Sequence, residues 1–361
     1  MKVVEVRDNK QQKKFINFRK KIYKNNSIYV DNNLFMIKEL FSKKTSFVKN
    51  KKIYVINIEE DDEILCQGII VYAKDLPQYI QLSFFESKPN QEKAVNLLVE
   101  KAVKIGKKYK CKKLVIGLCG HVNYGLGFLY SHYNEKNSFS ATANPEYYND
   151  YFEKMNCEKI FLNTYRTLVD YSKIQKYDSL IEKLNRNYSF KYFDKNNFDY
   201  YSKIYTDLNN KTFCKHRYYY KRNYEEDKEM LKELFLFMKE DSLIFAFDGN
   251  KPVGFVMWYP DFNELVKKGD AFGAKHFIKN KLFGKNIQSG KLMEYGILDE
   301  YRKSGLVMCL LNEVFIALKK HNIDCIKSSW ILEENKDSNS VCKALCDEVH
   351  KRYVVYEKKI R

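Results

Sequence analysis

Residues 291–320, KLMEYGILDEYRKSGLVMCLLNEVFIALKK, join three patterns that few folds accept in this order. From Leu292 to Leu298 the side chains alternate as in a strand, with Met293, Tyr295 and Ile297 on one side and Leu292, Glu294, Gly296 and Leu298 on the other. From Leu306 apolar residues recur at helical spacing, as Leu306, Val307, Leu310, Leu311, Val314, Phe315 and Leu318, so a helix is expected from about Ser304 to Lys320. The link Arg302-Lys303-Ser304-Gly305 sets two cations and unpaired backbone N–H groups at the positive end of that helix, which suits an anion such as a pyrophosphate.

The turn YRKSGLV resembles the acyl-CoA-binding motif of the GNAT acyltransferases, (Gln/Arg)-x-x-Gly-x-(Gly/Ala), with Arg302 and Gly305 in register and Val307 replacing the final small residue. Downstream, SWILEEN at Ser329 to Asn335, a helix carrying Asn339 and a closing strand KRYVVYEK at Lys351 to Lys358 are similar to a tandem-domain group of bacterial proteins with a GNAT fold. The resemblance implies acetyl-CoA or another acyl-CoA as co-substrate and an amine, small-molecule or peptide, as acceptor. It implies that Gly296, Ile297 and Leu298 bind the pantetheine arm as an added strand would, between the splayed ends of two parallel strands. Arg302, Lys303, Ser304, Gly305, Leu306 and Val307 would then meet the diphosphate, and Asn339 would hydrogen-bond the cofactor.

The acid that family members often hold early on the central strand aligns with Lys291, and their general-acid tyrosine with Cys346. The candidate bases are therefore Glu294, on the other face of the strand by alternation, and Glu333 and Glu334 beyond the neighbouring strand. A missing acid or base costs roughly two to four orders of magnitude, whereas alignment of the reactants supplies about 7 to 11 kcal/mol. Positioning alone would favour an amine that is already neutral, such as an amino sugar or an α-amino group.

With 361 residues, 45% of them hydrophobic, the chain can build two domains with separate cores. The net charge of +18 comes from lysines scattered among acids, which reads first as a solvated surface and second as a partner for an anion such as tRNA or an acidic membrane. Nine cysteines without C-x-x-C, and Cys342 and Cys346 one helical turn apart without a histidine, read as reduced thiols and not as a metal site. The opening MKVVEVRDNKQQKK is no apolar leader and no apolar run spans a bilayer, so a cytoplasmic protein without membrane insertion is expected.

Two halves follow one plan. In the first, strands at Val3–Arg7, Ile53–Ile58, Ile64–Tyr72, Tyr79–Phe85 and Leu114–Leu118 surround helices at Gln11–Tyr23, Leu34–Ser42 and Gln91–Lys108. In the second, strands at Tyr188–Phe193, Leu243–Phe247 and Val253–Tyr259 surround helices at Phe198–Leu208 and Glu225–Lys239. CQGIIVYAKD and PVGFVMWYPD match at Gly68 and Gly254 and at Asp75 and Asp261, so an internal repeat is expected. The fold class is α+β, two tandem GNAT-like domains, each a mixed, mostly antiparallel sheet flanked by helices. The boundaries are 1–170, a linker at 171–187, and 188–361.

The first domain lacks Arg-x-x-Gly after its central strand and is expected to be degenerate for cofactor, with Asn90 able to cap its helix. His121, in the glycine-rich loop Gly120–Gly127, is expected to be structural. In the second, Trp258, Tyr259 and the loop Asp261–Gln288, with Gly269, Gly273, Gly284 and His276, would shape the acceptor pocket. Three functions fit: an acyl-CoA-dependent N-acyltransferase, a Fem-like transferase using aminoacyl-tRNA, which the Arg302 to Gly305 turn disfavours, and a non-catalytic acyl-CoA sensor or interaction module.

Overall fold

The fold was taken from a computed structural model, which describes every residue except Ser27, Lys268, Gly269, Ala274 and Arg361. The expected pocket residue Gly269 thus lies outside the described residues. The first elements along the chain are β1 (Lys2–Glu5), α1 (Asn9–Ile22), α2 (Leu34–Ser42), α3 (Ser46–Lys49), β2 (Lys51–Glu60), β3 (Glu63–Ala73), β4 (Tyr79–Ser87), α4 (Glu92–Lys108), β5 (Lys113–Ile116), β6 (Phe128–Leu129), α5 (Tyr147–Glu153) and β7 (Glu158–Leu168). There follow α6 (Ser172–Gln175), α7 (Asp178–Asn185), β8 (Tyr188–Tyr192), α8 (Phe198–Thr212), α9 (Tyr224–Leu234), β9 (Leu243–Asp248), β10 (Lys251–Pro260), α10 (Lys275–Phe283), β11 (Ser289–Ile297), α11 (Leu306–Lys320), β12 (Cys325–Ser328), β13 (Ile331–Leu332), α12 (Lys336–Leu345) and β14 (Glu348–Lys359).

The chain divides into two compact units: Met1–Asn163 with Val266–Gly273 and Lys351–Arg361, and Thr164–Leu265 with Ala274–His350. These limits differ from the contiguous ones read from the sequence. The closing strand belongs to unit 1, where Tyr356 to Lys359 pair antiparallel with Ile116 to Lys113. Residues 171–187 form α6 and α7 within unit 2, because Ile174, Ile181 and Leu184 bury an apolar stripe that a linker would leave wet.

In unit 1 the sheet order is β1-β2-β3-β4-β5-β14, with β4 and β5 parallel and the other neighbours in this order antiparallel. The β2–β3 hairpin turns at Asp61 and Asp62, both left-handed (φ 48° and 59°), a conformation Asp tolerates. One apolar cluster carries Leu82, Leu98, Phe128, Phe152 and Tyr356 with α4 and α5, and another carries Phe15, Ile37, Leu40, Ile69 and Val71 with α1 and α2. In unit 2 the order is β7-β12-β11-β10-β9-β8, with β11 and β12 parallel. Here Gly254 faces Leu310 of α11, whereas Gly296, which pairs with Phe255 across the ladder, faces α8, where a Cβ would come 2.4 Å from Thr212. Only glycine lets α8 approach the central strand so closely.

Candidate functional site

β11 and β12 pair from Ser289 and Cys325 to Leu292 and Ser328, closed by Ser329 N–H on Leu292 O at 2.7 Å, and β12 then ends while β11 runs on to Ile297. The two parallel strands therefore part in the middle of the sheet. At that point β11 carries an extra residue: Trp258 faces Leu292 and Met257 faces Glu294, leaving Met293 as a bulge. A bulge resets alternation. Glu294 thus shares the face of Lys291 and Gly296, and the expectation that it lies opposite Lys291 is corrected.

That face is covered by α8, whose Tyr205 and Asn209 lie one turn apart. Tyr205 Oη donates to Glu294 Oε1, and Asn209 Nδ2 donates to Oε2 at 3.0 Å. Behind them the Arg222 guanidinium donates to Tyr205 Oη at 3.3 Å and pairs with Asp227 at 2.5 Å, both fully enclosed. Tyr219 Oη donates to Asn209 Oδ1 at 3.0 Å, reached through a connection in which Tyr218 is held left-handed at φ 67°. Burial raises the pKa of Glu294, against the opposing pull of Arg222, Tyr205 and Asn209. The result is an oriented carboxylate with raised proton affinity two residues past the last β11–β12 pair, suited to take a proton.

Sequence reasoning missed Tyr205, Asn209, Tyr219 and Arg222, whose only signal was a polar residue every turn on the inner side of an aromatic helix. It also missed Tyr295. Bonded to the Ser338 side chain and pushed by burial to about 12, this phenol stays neutral, next to Glu294 in sequence but on the opposite side of β11. At the position aligned with the general-acid tyrosine, the hydrogen bond between Cys342 and Cys346 lowers the pKa of Cys346 and raises that of Cys342.

The other expected residues are placed as follows. Asn339 Nδ2 donates to Leu332 O at 2.9 Å and Asn335 O at 2.7 Å, and Oδ1 accepts from Tyr165 Oη at 2.8 Å, so its amide joins α12 to β13. Glu333 is exposed beyond β13, and Glu334 is held by Arg217 through two bonds of 3.0 Å. Asp299 to Ser304 form a short 3₁₀ turn, and Gly305 (φ 87°) begins α11, near the expected start. Arg302 donates to Thr212 O at 3.1 Å and pairs with Asp299 at 3.0 Å, while Lys303 is exposed. Ser304 Oγ accepts from Leu306 N–H at 3.2 Å, so one helix-end donor is capped locally. A Cβ on Gly305 would come 2.9 Å from Leu180, which puts α7 beside the turn.

Unit 1 opens in the same way: β4 and β5 pair from Tyr79 and Lys113 to Leu82 and Ile116, and the last link is Gly117 N–H to Leu82 O at 3.1 Å. Beside its opening lies a small cavity of about 30 Å³, lined by Phe84, Phe85, Glu86, Gly117 and Cys119. Ser83 Oγ reaches Leu118 O, Gln81 Oε1 accepts from Gly120 N–H at 2.9 Å, and three tyrosines of α5 cover the end of β4. Tyr147 Oη donates to Ser87 O at 2.7 Å, Tyr148 Oη to Glu86 Oε2 at 2.8 Å, and Tyr151 Oη to Lys88 O at 2.7 Å. Tyr151 Oη also accepts from Gln91 N–H at 3.1 Å. Gln91 is the N-cap of α4 and Asn90 is left-handed (φ 59°), so the expected Asn90 cap is corrected: Tyr151 supplies the oxygen. His121 is buried, with Nδ1 accepting from Asn123 N–H at 3.2 Å.

No family model matches the chain. Protein YghO of Escherichia coli strain K12 is 28% identical over 130 residues, which span 34% of this chain and 33% of that protein, so the chain spans about a third of the length of that curated relative. Among solved structures, a tandem GNAT protein from the clavulanic acid biosynthesis pathway covers 100% of this chain and 98% of its own at 10% identity and a TM-score of 0.58. A GCN5-related N-acetyltransferase from Sphaerobacter thermophilus covers 99% of this chain and 96% of its own at 9% identity and a TM-score of 0.54. A fungal β-N-acetylglucosaminidase with a GCN5-related glucosamine N-acetyltransferase region matches 99% of this chain over 38% of its own, at 13% identity and 0.58. With both parted parallel strand pairs in view, these likenesses give the chain the GNAT superfamily fold, in the form of two tandem GNAT-like domains.

Proposed function

We propose that the protein is an acyl-CoA-dependent N-acyltransferase whose working site is in unit 2. The observation that carries this reading is Glu294, held by Tyr205 and Asn209 where β11 leaves β12. Acyl-CoA would supply an acyl thioester. The residues suited to hold it are the β11 end at Gly296 to Leu298, the N–H groups of the first turn of α11, and Arg302 and Lys303, once Arg302 releases Thr212 O.

Glu294 takes the proton of the acceptor amine, either directly or through one water. Tyr295, neutral across the physiological range, is the donor available to the departing sulfur. A base on this face removes the requirement that chemistry run by positioning alone, so the acceptor need not arrive as a neutral amine. The test is thiol release from acetyl-CoA against a panel of amino sugars, amino acids and peptides. Turnover with Glu294→Gln should fall about 10²- to 10⁴-fold. Cofactor binding without turnover on any amine would instead favour the sensor reading.

A further inference from the structure

We propose that α10 and the lysine-lined groove beside it dock the protein on an anionic lipid surface. α10 is apolar on two sides. Its inner side buries His276 and sets Phe277 against Phe237 at 5.7 Å, whereas its outer side leaves Ile278, Leu282 and Phe283 exposed by 62%, 61% and 53%. Ile278 and Leu282 are one turn apart, so the outer residues form one patch and not scattered exposures.

The segment that carries this patch has charge of one sign. From Ala271 to Met293 there is no Asp or Glu, while Lys275, Lys279, Lys281 and Lys285 lie on α10 or just past it. Next to the helix, Asn280 and Lys281 line a groove of about 520 Å³ shared with Lys195, Lys239 and Lys320. Its two acids do not neutralise it: Asp241 is engaged by Lys320 and by His321 at 2.9 Å each, leaving Glu240 against three further lysines. Leu236, exposed by 57%, continues the apolar surface at the groove.

An aliphatic patch ringed by lysines matches the boundary between acyl chains and phosphate headgroups, with the lysines meeting the phosphates and Ile278, Leu282 and Phe283 entering the apolar layer. Nucleic acid would be a poorer occupant, because a phosphate chain gains nothing from Ile278 and Leu282, and bases stack on aromatic faces. No described helix is long and apolar enough to cross a membrane, so the contact is with the surface.

The test is cosedimentation of the full chain with vesicles of phosphatidylcholine alone or in equal parts with phosphatidylglycerol. Binding is expected only to the anionic vesicles and should weaken at high salt. The triple variant Ile278→Ser, Leu282→Ser, Phe283→Ser should lower it about ten-fold or more, and Lys279→Glu, Lys281→Glu and Lys285→Glu about five-fold or more each. Ile278, Lys281, Leu282, Phe283 and Lys285 are exposed, whereas Lys279 Nζ donates to Leu265 O at 3.2 Å, and thermal unfolding of each variant checks that the fold is kept. Equal binding to neutral vesicles, no binding to either, or a serine variant that loses self-association or RNA binding while keeping vesicle binding would overturn the proposal.

Discussion

A carboxylate such as Glu294 is stabilised in a half-buried site by oriented donors, here a phenol and an amide, with the Arg222 charge one residue further back. That arrangement leaves the anion reactive where a direct arginine contact would quench it. Because its pKa is raised, the acid limb of the rate profile should lie above the ordinary carboxylate range, and Tyr205→Phe should shift that limb further upward by removing a donor to the anion. Unit 1 shows the contrasting case. Glu86 touches Arg19 directly, yet burial still pushes it to about 7. A raised carboxylate pKa means that the folded chain binds the extra proton, so this contribution to stability is greatest at acid pH and falls as pH rises from about 4.5 to about 7. The loss is on the order of 3 kcal/mol, and Glu86→Gln should flatten it in urea titrations at pH 5 and pH 8. An unchanged slope would show that Glu86 titrates normally. Neither environment was legible in the sequence. Alternation placed Glu294 on the wrong face because a bulge at Met293 has no sequence marker, and the partners come from residues roughly 70 to 90 positions away.

At the scale of elements, the strands and long helices were legible because their periodicity records which face is buried. α4, α8, α11 and the two hairpins lie within a few residues of their expected limits. The short helices α5, α6, α7 and α10 were not read as helices, since runs of four to nine residues give too few turns for a periodicity to stand out. Two of them bear on the candidate sites: α5 sets Tyr151 against Gln91 at the start of α4 in unit 1, and α7 lies against Gly305 in unit 2. Gly305→Ala should lower stability by about 1 to 2 kcal/mol through its left-handed φ. Adding Leu180→Ala should not restore it, because the Leu180 methyl can move whereas the backbone cannot. Full recovery in the double variant, measured by urea midpoint, would assign the cost to the contact instead.

For the whole molecule, the repeat was legible but the strand assignment was not, because the closing strand of the chain belongs to unit 1. Tyr353, Val354, Val355 and Tyr356 are nearly inaccessible there. At about 2 kcal/mol for each buried side chain, removing residues 351–361 would cost about as much as the whole stability of a typical domain. Truncation after His350 should therefore unfold unit 1, seen as loss of its cooperative transition in calorimetry. A truncated chain that keeps that transition would show β14 to be dispensable.

Calorimetric titration with acetyl-CoA tests the division of labour between the units most directly. One molecule should bind per chain, binding should vanish in the Arg302→Ala, Gly305→Glu double variant, and it should survive Tyr151→Phe at the start of α4 in unit 1. Two molecules per chain, none, or undiminished binding in the double variant would contradict an acyl-CoA site built on the turn of unit 2.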